Sequence, residues 1–93
     1  MPAKDLIDGI RRDFHFPLPL ARYRDLIARL VFGRPYSSVI AADRAGKLSP
    51  PIVQDTVLSA LALEYGDRVH ALADLAREHV ATYRRQGPQK TAR

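Results

Sequence analysis

Apolar residues recur at intervals of three and four along this chain, and glycine and proline interrupt the pattern often enough to divide it into helix-length runs. The first run, Lys4 to Asp13, lines up Leu6, Ile7, Ile10 and Phe14 on one stripe, which Gly9 weakens. The next stretch, Phe14-His15-Phe16-Pro17-Leu18-Pro19-Leu20, holds two prolines that forbid a regular helix. Its large apolar side chains predict an extended connection packed across the helices. A second helix is predicted from Leu20 to Phe32, with Tyr23, Ile27, Leu30 and Val31 toward the core and Arg22, Asp25 and Arg29 toward water. Gly33 ends it, and after Arg34-Pro35 a shorter helix is predicted from Tyr36 to Ala45, with Val39 and Ile40 as its only strong apolar anchors.

Ser49 before Pro50 and Pro51 has the form of a helix start: a hydroxyl that can cap free amides, then residues that lose nothing by lacking their own. The fourth helix is therefore predicted from Pro50 to Tyr65. Its run Val57-Leu58-Ser59-Ala60-Leu61-Ala62-Leu63 is apolar on nearly every face, so it reads as the central helix of a bundle or, failing that, as half of a dimer interface. Asp67 is placed to cap a fifth helix, which reads to about Arg85 through Val69, Leu72, Ala76, Val80 and Tyr83. Gly33, Gly46, Gly66 and Gly87 each follow a helical run, as left-handed C-caps do. Strand-like alternation and internal repeats are missing from the pattern. The expectation is an all-α fold: a compact bundle of four to five helices with short loops, one domain over residues 1–85, and a flexible basic tail over 86–93.

Composition adds to this chiefly through charge. Ninety-three residues, 46% hydrophobic and 27% charged, suit one soluble domain and exclude a large doubly wound enzyme. The net charge of +5 is concentrated at the end of the chain. Arg84, Arg85, Lys90 and Arg93 contribute +4 with no acid among them, and residues 1–83 sum to +1. A basic extension of this kind either solubilises or binds phosphate. With no cysteine, and with Asp5 and Asp8 interrupting the apolar residues of the amino-terminal stretch, a reducing, cytoplasmic setting is expected, without a membrane span.

Catalytic constellations are hard to assemble from these residues. No two of His15, His70 and His79 lie three or four apart, and no thiolate can complete a zinc site, so no metal and no cofactor are expected. His70 and Asp74 lie four apart and could orient an imidazole, although an exposed polar pair accounts for the spacing equally well. Asp5, Asp8 and Asp13 have Lys4, Arg11 and Arg12 as ready ion-pair partners. Neither a glycine-rich phosphate loop nor a Gly-x-Ser-x-Gly elbow occurs. The chain is not expected to be an enzyme.

The stretch Ile27 to Pro51, IARLVFGRPYSSVIAADRAGKLSPP, resembles the helix-turn-helix of excisionase-type DNA-binding domains. Ala28 matches the small residue where the helices cross, Gly33 the turn, Ser37-Ser38-Val39 the start of the recognition helix and Arg44-Ala45-Gly46-Lys47-Leu48 its exit. The interval from Ala28 to Gly33 is one residue longer than that family's, Arg34 stands where an apolar residue is usual, and a proline-led segment replaces the family's wing. The resemblance implies a groove-facing set of Tyr36, Ser37, Ser38, Ala41 and Arg44, and the basic residues Arg34, Lys47, Arg84 and Arg85 are further candidates for nucleic-acid contact. Leu26 to Leu30 with Gly33, Arg34, Tyr36 and Ala41-Ala42 is also similar to the helical module of glyoxalase-related proteins of bacterial mobile elements, which implies only a small interaction module.

A helical binding module follows, with nucleic acid slightly ahead of protein as the partner. The alternative is an adaptor or inhibitor of phage or plasmid accessory type, meeting a protein through an exposed patch of Phe14, Phe16, Leu18, Tyr36 and Leu48. Either reading accommodates a homodimer through Leu58 and Leu63.

Overall fold

A computed structural model of the chain describes residues 2–92, with side chains through Arg85. Five helices follow in order: α1 (Ala3–Asp13), α2 (Leu20–Phe32), α3 (Tyr36–Arg44), α4 (Asp55–Tyr65) and α5 (Arg68–Ala92). No strand occurs among the described residues, and none of their helices is long and apolar enough to cross a membrane. α5 extends beyond the Arg85 expected from the sequence, and the side chains of the expected tail, 86–93, fall outside the described residues.

The bundle is organised around α2, which packs against α1, α3, α4 and α5. Tyr23, Leu26, Ile27, Ala28, Leu30 and Val31 are all buried, covering more than the single stripe of a surface helix. They meet Ala3, Leu6, Ile7 and Ile10 of α1, Val39 of α3, Leu58 and Leu61 of α4, and Val69, Leu72, Ala73, Ala76 and Val80 of α5. The connection from Phe14 to Pro19 crosses the helices as its composition requires. Phe16 inserts into the core beside Tyr23 and Tyr65, with ring centroids 5.8 and 6.4 Å away. The Tyr23 hydroxyl donates to the Phe14 carbonyl at 2.6 Å. Outside, Arg68 lies over the Phe14 and Phe16 rings and donates to the His15 carbonyl at 2.9 Å.

Burial of Tyr23 pushes its phenol up to about 12 against the lowering influence of Arg11 and Arg68. Below the ordinary value of 10 the phenol is neutral in folded and unfolded chains alike; between 10 and about 12 only the unfolded chain ionises, so stability falls as pH rises through that window. The expected loss is about 2–3 kcal/mol. Denaturant melts at rising alkaline pH should show it, and Tyr23→Phe should remove it.

Two expectations about the fourth helix are corrected. It begins at Asp55, five residues later than Pro50, and residues 47–54 form an irregular connection. Tandem prolines explain the delay: the ring of Pro51 drives Pro50 out of the helical region, Pro51 itself is buried, and the Ile52 N–H is spent on the Val31 carbonyl at 2.9 Å, satisfying the last turn of α2. Nor is α4 central. Only Leu58 and Leu61 are buried, and Leu63 is 91% exposed. The run holds three leucines, and only two of them, Leu58 and Leu61, reach the core; Ala60 and Ala62 between them are small enough to tolerate either side.

Leu58 and Leu63 therefore lie on different faces of α4, and glutamate substitutions should separate their roles. Leu58→Glu buries a charge and is expected to destabilise by at least about 3 kcal/mol. Leu63→Glu is expected to leave stability unchanged within about 0.5 kcal/mol. Thermal melts check both, and sedimentation of Leu63→Glu beside the wild type reads whether this leucine holds a dimer.

Candidate nucleic-acid interface

Three helices begin immediately after a proline, Pro2, Pro19 and Pro35, and none of these positions offers a side chain to cap the free amides. For α3 and α1 the acceptor comes from another helix. The Tyr36 N–H at the start of α3 donates to Oδ1 of Asp25 on α2 at 2.9 Å. The Ala3 N–H at the start of α1 donates to Oδ2 of Asp43 on α3 at 3.0 Å. A carboxylate at a helix N-terminus is also favoured by the helix dipole. Burial pushes the Asp25 carboxyl up, but the Tyr36 amide, the Arg29 hydrogen bond and the Arg29 charge outweigh it and hold the carboxyl below its usual range. Asp25 is thus a cap for α3, half-buried and not the water-facing residue its place in the pattern suggested.

The turn that joins α2 to α3 is Gly33-Arg34-Pro35. Gly33 takes a left-handed conformation (φ 70°) and its N–H donates to the Arg29 carbonyl at 3.0 Å, closing α2. Ala28, wholly buried, lies in the stretch of α2 that faces its neighbours. At the far end of α3 a Schellman arrangement is present: Gly46 (φ 69°) donates to the Asp43 carbonyl at 3.1 Å and Lys47 to the Ala42 carbonyl at 2.9 Å. Both ends of α3, and with them the backbones of Arg34 and Lys47, are therefore held by hydrogen bonds.

Between these ends α3 turns Val39 into the core and packs only on α1 and α2 among the described helices. Ser37, Ala41 and Arg44, at i, i+4 and i+7, form an exposed stripe flanked by exposed Arg34 and Lys47. Tyr36 and Ser38 are half-buried: the Arg24 guanidinium lies 5.6 Å from the Tyr36 ring centroid, and the Ser38 hydroxyl accepts from Arg34 Nε at 2.9 Å. Arg34, Arg44 and Lys47 form no ion pair among the described residues, whereas Asp25 and Asp43 beside them are turned inward on backbone amides. Arg84 and Arg85 are exposed on α5, which does not pack on α3. They directly follow Tyr83, whose phenol is raised by burial and by the charge of Asp43.

The near-neutral sum over residues 1–83 conceals a segregation. Residues 1–49, comprising α1 to α3, hold nine bases against five acids, and residues 50–83 hold two bases against five acids, so the helical body is +4 at one end of the chain and −3 at the other. Three of the five acids in the basic half, Asp8, Asp25 and Asp43, are committed to internal partners.

The alternative protein-binding residues are not brought into one patch. Phe16 is in the core at 7% exposure. Phe14, Leu18 and the edge of Phe16 line one groove with Arg11, Arg12 and His15, whereas Tyr36 lines another with Arg22, Asp25 and Ser37. Leu48 borders neither.

Sequence reasoning missed two arrangements. Asp8, 6% exposed, gathers Lys4, Arg11 and Arg24. The Lys4 and Arg11 spacings to Asp8 were readable, but Arg24 arrives only through the packing of α2 on α1. His79 pairs with Asp13 at 2.8 Å, its ring against Gly9, where an added Cβ would sit 3.5 Å away. His70 and Asp74 are not joined; Asp74 takes Arg77 at 3.0 Å. Among the described residues no group of three side chains could hold a metal. No family model matches the chain, and neither a curated protein nor a solved structure matches it.

Proposed function

We propose that the protein is a small, non-enzymatic module that binds duplex DNA by presenting α3 to a groove. The observation that carries this reading is the exposed stripe Ser37, Ala41 and Arg44, flanked by Arg34 and Lys47, which form no ion pair among the described residues, in the half of the chain that holds the net positive charge of the body. A helix with its side chains is about 10–12 Å across, which the major groove, roughly 12 Å wide, admits. In that position Arg44 suits the acceptor edge of guanine, Ala41 a thymine methyl and Ser37 either kind of edge, while Arg34 and Lys47 reach phosphates. With so few base readers, phosphate contacts dominate the affinity, which falls steeply with salt. Arg84 and Arg85 add charge beyond Tyr83.

Fluorescence anisotropy with a mixed-sequence duplex tests this, using the full chain and a full-length variant in which Arg84, Arg85, Lys90 and Arg93 are replaced by glutamine. Micromolar binding that survives in part in the variant supports contact through the body. Binding that vanishes with the four substitutions overturns the α3 reading and directs the search to a protein partner.

A further inference from the structure

The cluster around Asp8 holds more positive charge than its carboxylate can neutralise. Oδ1 accepts from Arg24 Nε at 3.0 Å and Arg11 Nε at 3.4 Å; Oδ2 accepts from Lys4 Nζ at 3.2 Å and Arg24 Nη2 at 3.3 Å. These four bonds fill the acceptor capacity of a carboxylate. Three cations share one anion, which leaves a net charge of +2. Donors remain unused as well: Arg11 is engaged through Nε alone, Lys4 through one of its three N–H groups, and Arg24 through one edge of its fork. The Asp8 side chain is 9% exposed, against 56%, 28% and 25% for Lys4, Arg11 and Arg24, so solvent reaches all three cations while their counter-charge is nearly covered. Burial pushes the Asp8 carboxyl up, yet hydrogen bonds from Arg24 and Lys4, the Arg24 charge and the Arg11 hydrogen bond together hold it below the usual range, so it stays an anion and keeps the three cations together.

The cluster is joined to α3 at both ends. Arg24 stacks on Tyr36, the first residue of α3, and Lys4 follows Ala3, whose amide is bound by Asp43 in the last turn of α3. Tyr36, Ile40 and Asp43 recur at i, i+4 and i+7 and form the side of α3 nearest these groups, adjacent on the helix to the exposed Ser37, Ala41 and Arg44. On the α3 reading, Lys4 and Arg24 flank the stripe on the side where α3 packs on α1 and α2.

We propose that Lys4, Arg11 and Arg24 form a phosphate site that takes a backbone phosphate of the duplex lying on α3. The inference rests on the α3 reading above. A backbone phosphodiester brings one negative charge to the +2 of the cluster, and its two non-bridging oxygens each accept charge-assisted N–H hydrogen bonds.

The test uses the full chain and Lys4→Gln/Arg11→Gln, which keeps both Arg24 bonds to Asp8 and so keeps the fold, as a thermal melt verifies. The slope of log K for a mixed-sequence duplex against log salt should become shallower by about 0.9 for one lost phosphate contact. Arg77→Gln, on the acidic half of the body, should leave the slope unchanged. In parallel, inorganic phosphate should shift the Arg11 and Arg24 side-chain Nε–H resonances of the wild type, where chloride at equal ionic strength does not. An unchanged slope in Lys4→Gln/Arg11→Gln, with duplex binding still lost in an α3 charge variant, overturns the phosphate site and leaves the α3 reading standing. A wild-type chain that binds no duplex overturns the assignment to a DNA phosphate, whatever free phosphate does. A slope that becomes equally shallow in Arg77→Gln shows a diffuse charge effect and also overturns the site.

Discussion

Replacing Arg34, Arg44 and Lys47 together by alanine is expected to weaken duplex binding roughly 100-fold at near-physiological salt, at about 1 kcal/mol for each contact. The salt slope should become shallower by about 2.7 if all three side chains meet phosphates. It should change by about 1.8, with a loss of sequence preference, if Arg44 reads a base edge. Stability should be nearly unaffected. All three side chains are exposed and form no ion pair among the described residues, and the caps that hold the ends of α3 use Asp25 and the backbone of residues 42–47. Anisotropy titrations across salt, with circular dichroism as the folding control, read both quantities. Wild-type affinity in the folded triple variant would remove α3 as the contact surface.

The Asp8→Ala variant should show the opposite division, with a large effect on stability. Removing the carboxylate leaves Lys4, Arg11 and Arg24 facing one another, two of them mostly covered. A fully buried pair that loses one partner costs more than this, because the solvent reaching these guanidinium groups screens part of the repulsion. A destabilisation of about 2–3 kcal/mol is expected, which in a domain of this size lowers the melting temperature by about 10–20 °C. Asp8→Asn should fall between the two, keeping one acceptor and losing the charge. The same interaction sets a pH dependence whose sign follows from the lowered carboxyl. Above the ordinary value of 3.8 the carboxylate is ionised whether or not the chain is folded, and the stabilisation is complete. As pH falls below that value the unfolded chain takes up the proton first, so stability declines. Melts of wild type and Asp8→Ala should therefore converge as pH falls through and below about 4.

The periodic apolar residues carried the secondary structure well, because helix formation here follows local spacing and local breakers. Leu20–Phe32 is a helix between Pro19 and a left-handed Gly33, both visible in the sequence. The fourth helix was misplaced because Ser49-Pro50-Pro51 satisfies the local rule for a helix start while the segment is held extended by non-local bonds: a buried Pro51 and the Ile52 amide on Val31. The candidate interface was legible as a list, Arg34 to Lys47, but its exposure was not. Which side of α3 faces outward depends on Val39 entering the core and on Asp25 and Asp43 being drawn inward by amides 11 and 40 residues away.

By itself, then, the sequence determined the helical class, the breaks between helices and the residues able to carry positive charge. Those properties depend on neighbours within a few positions. Only the tertiary structure decided that α2 and not α4 is central, that capping carboxylates reach helix ends from elsewhere in the bundle, and that Arg24 joins Lys4 and Arg11 on one carboxylate. The physical reason is the same in each case. Burial and ion pairing are set by which helices meet, and an aspartate reads alike in the sequence whether it faces water, caps a distant helix or anchors three cations.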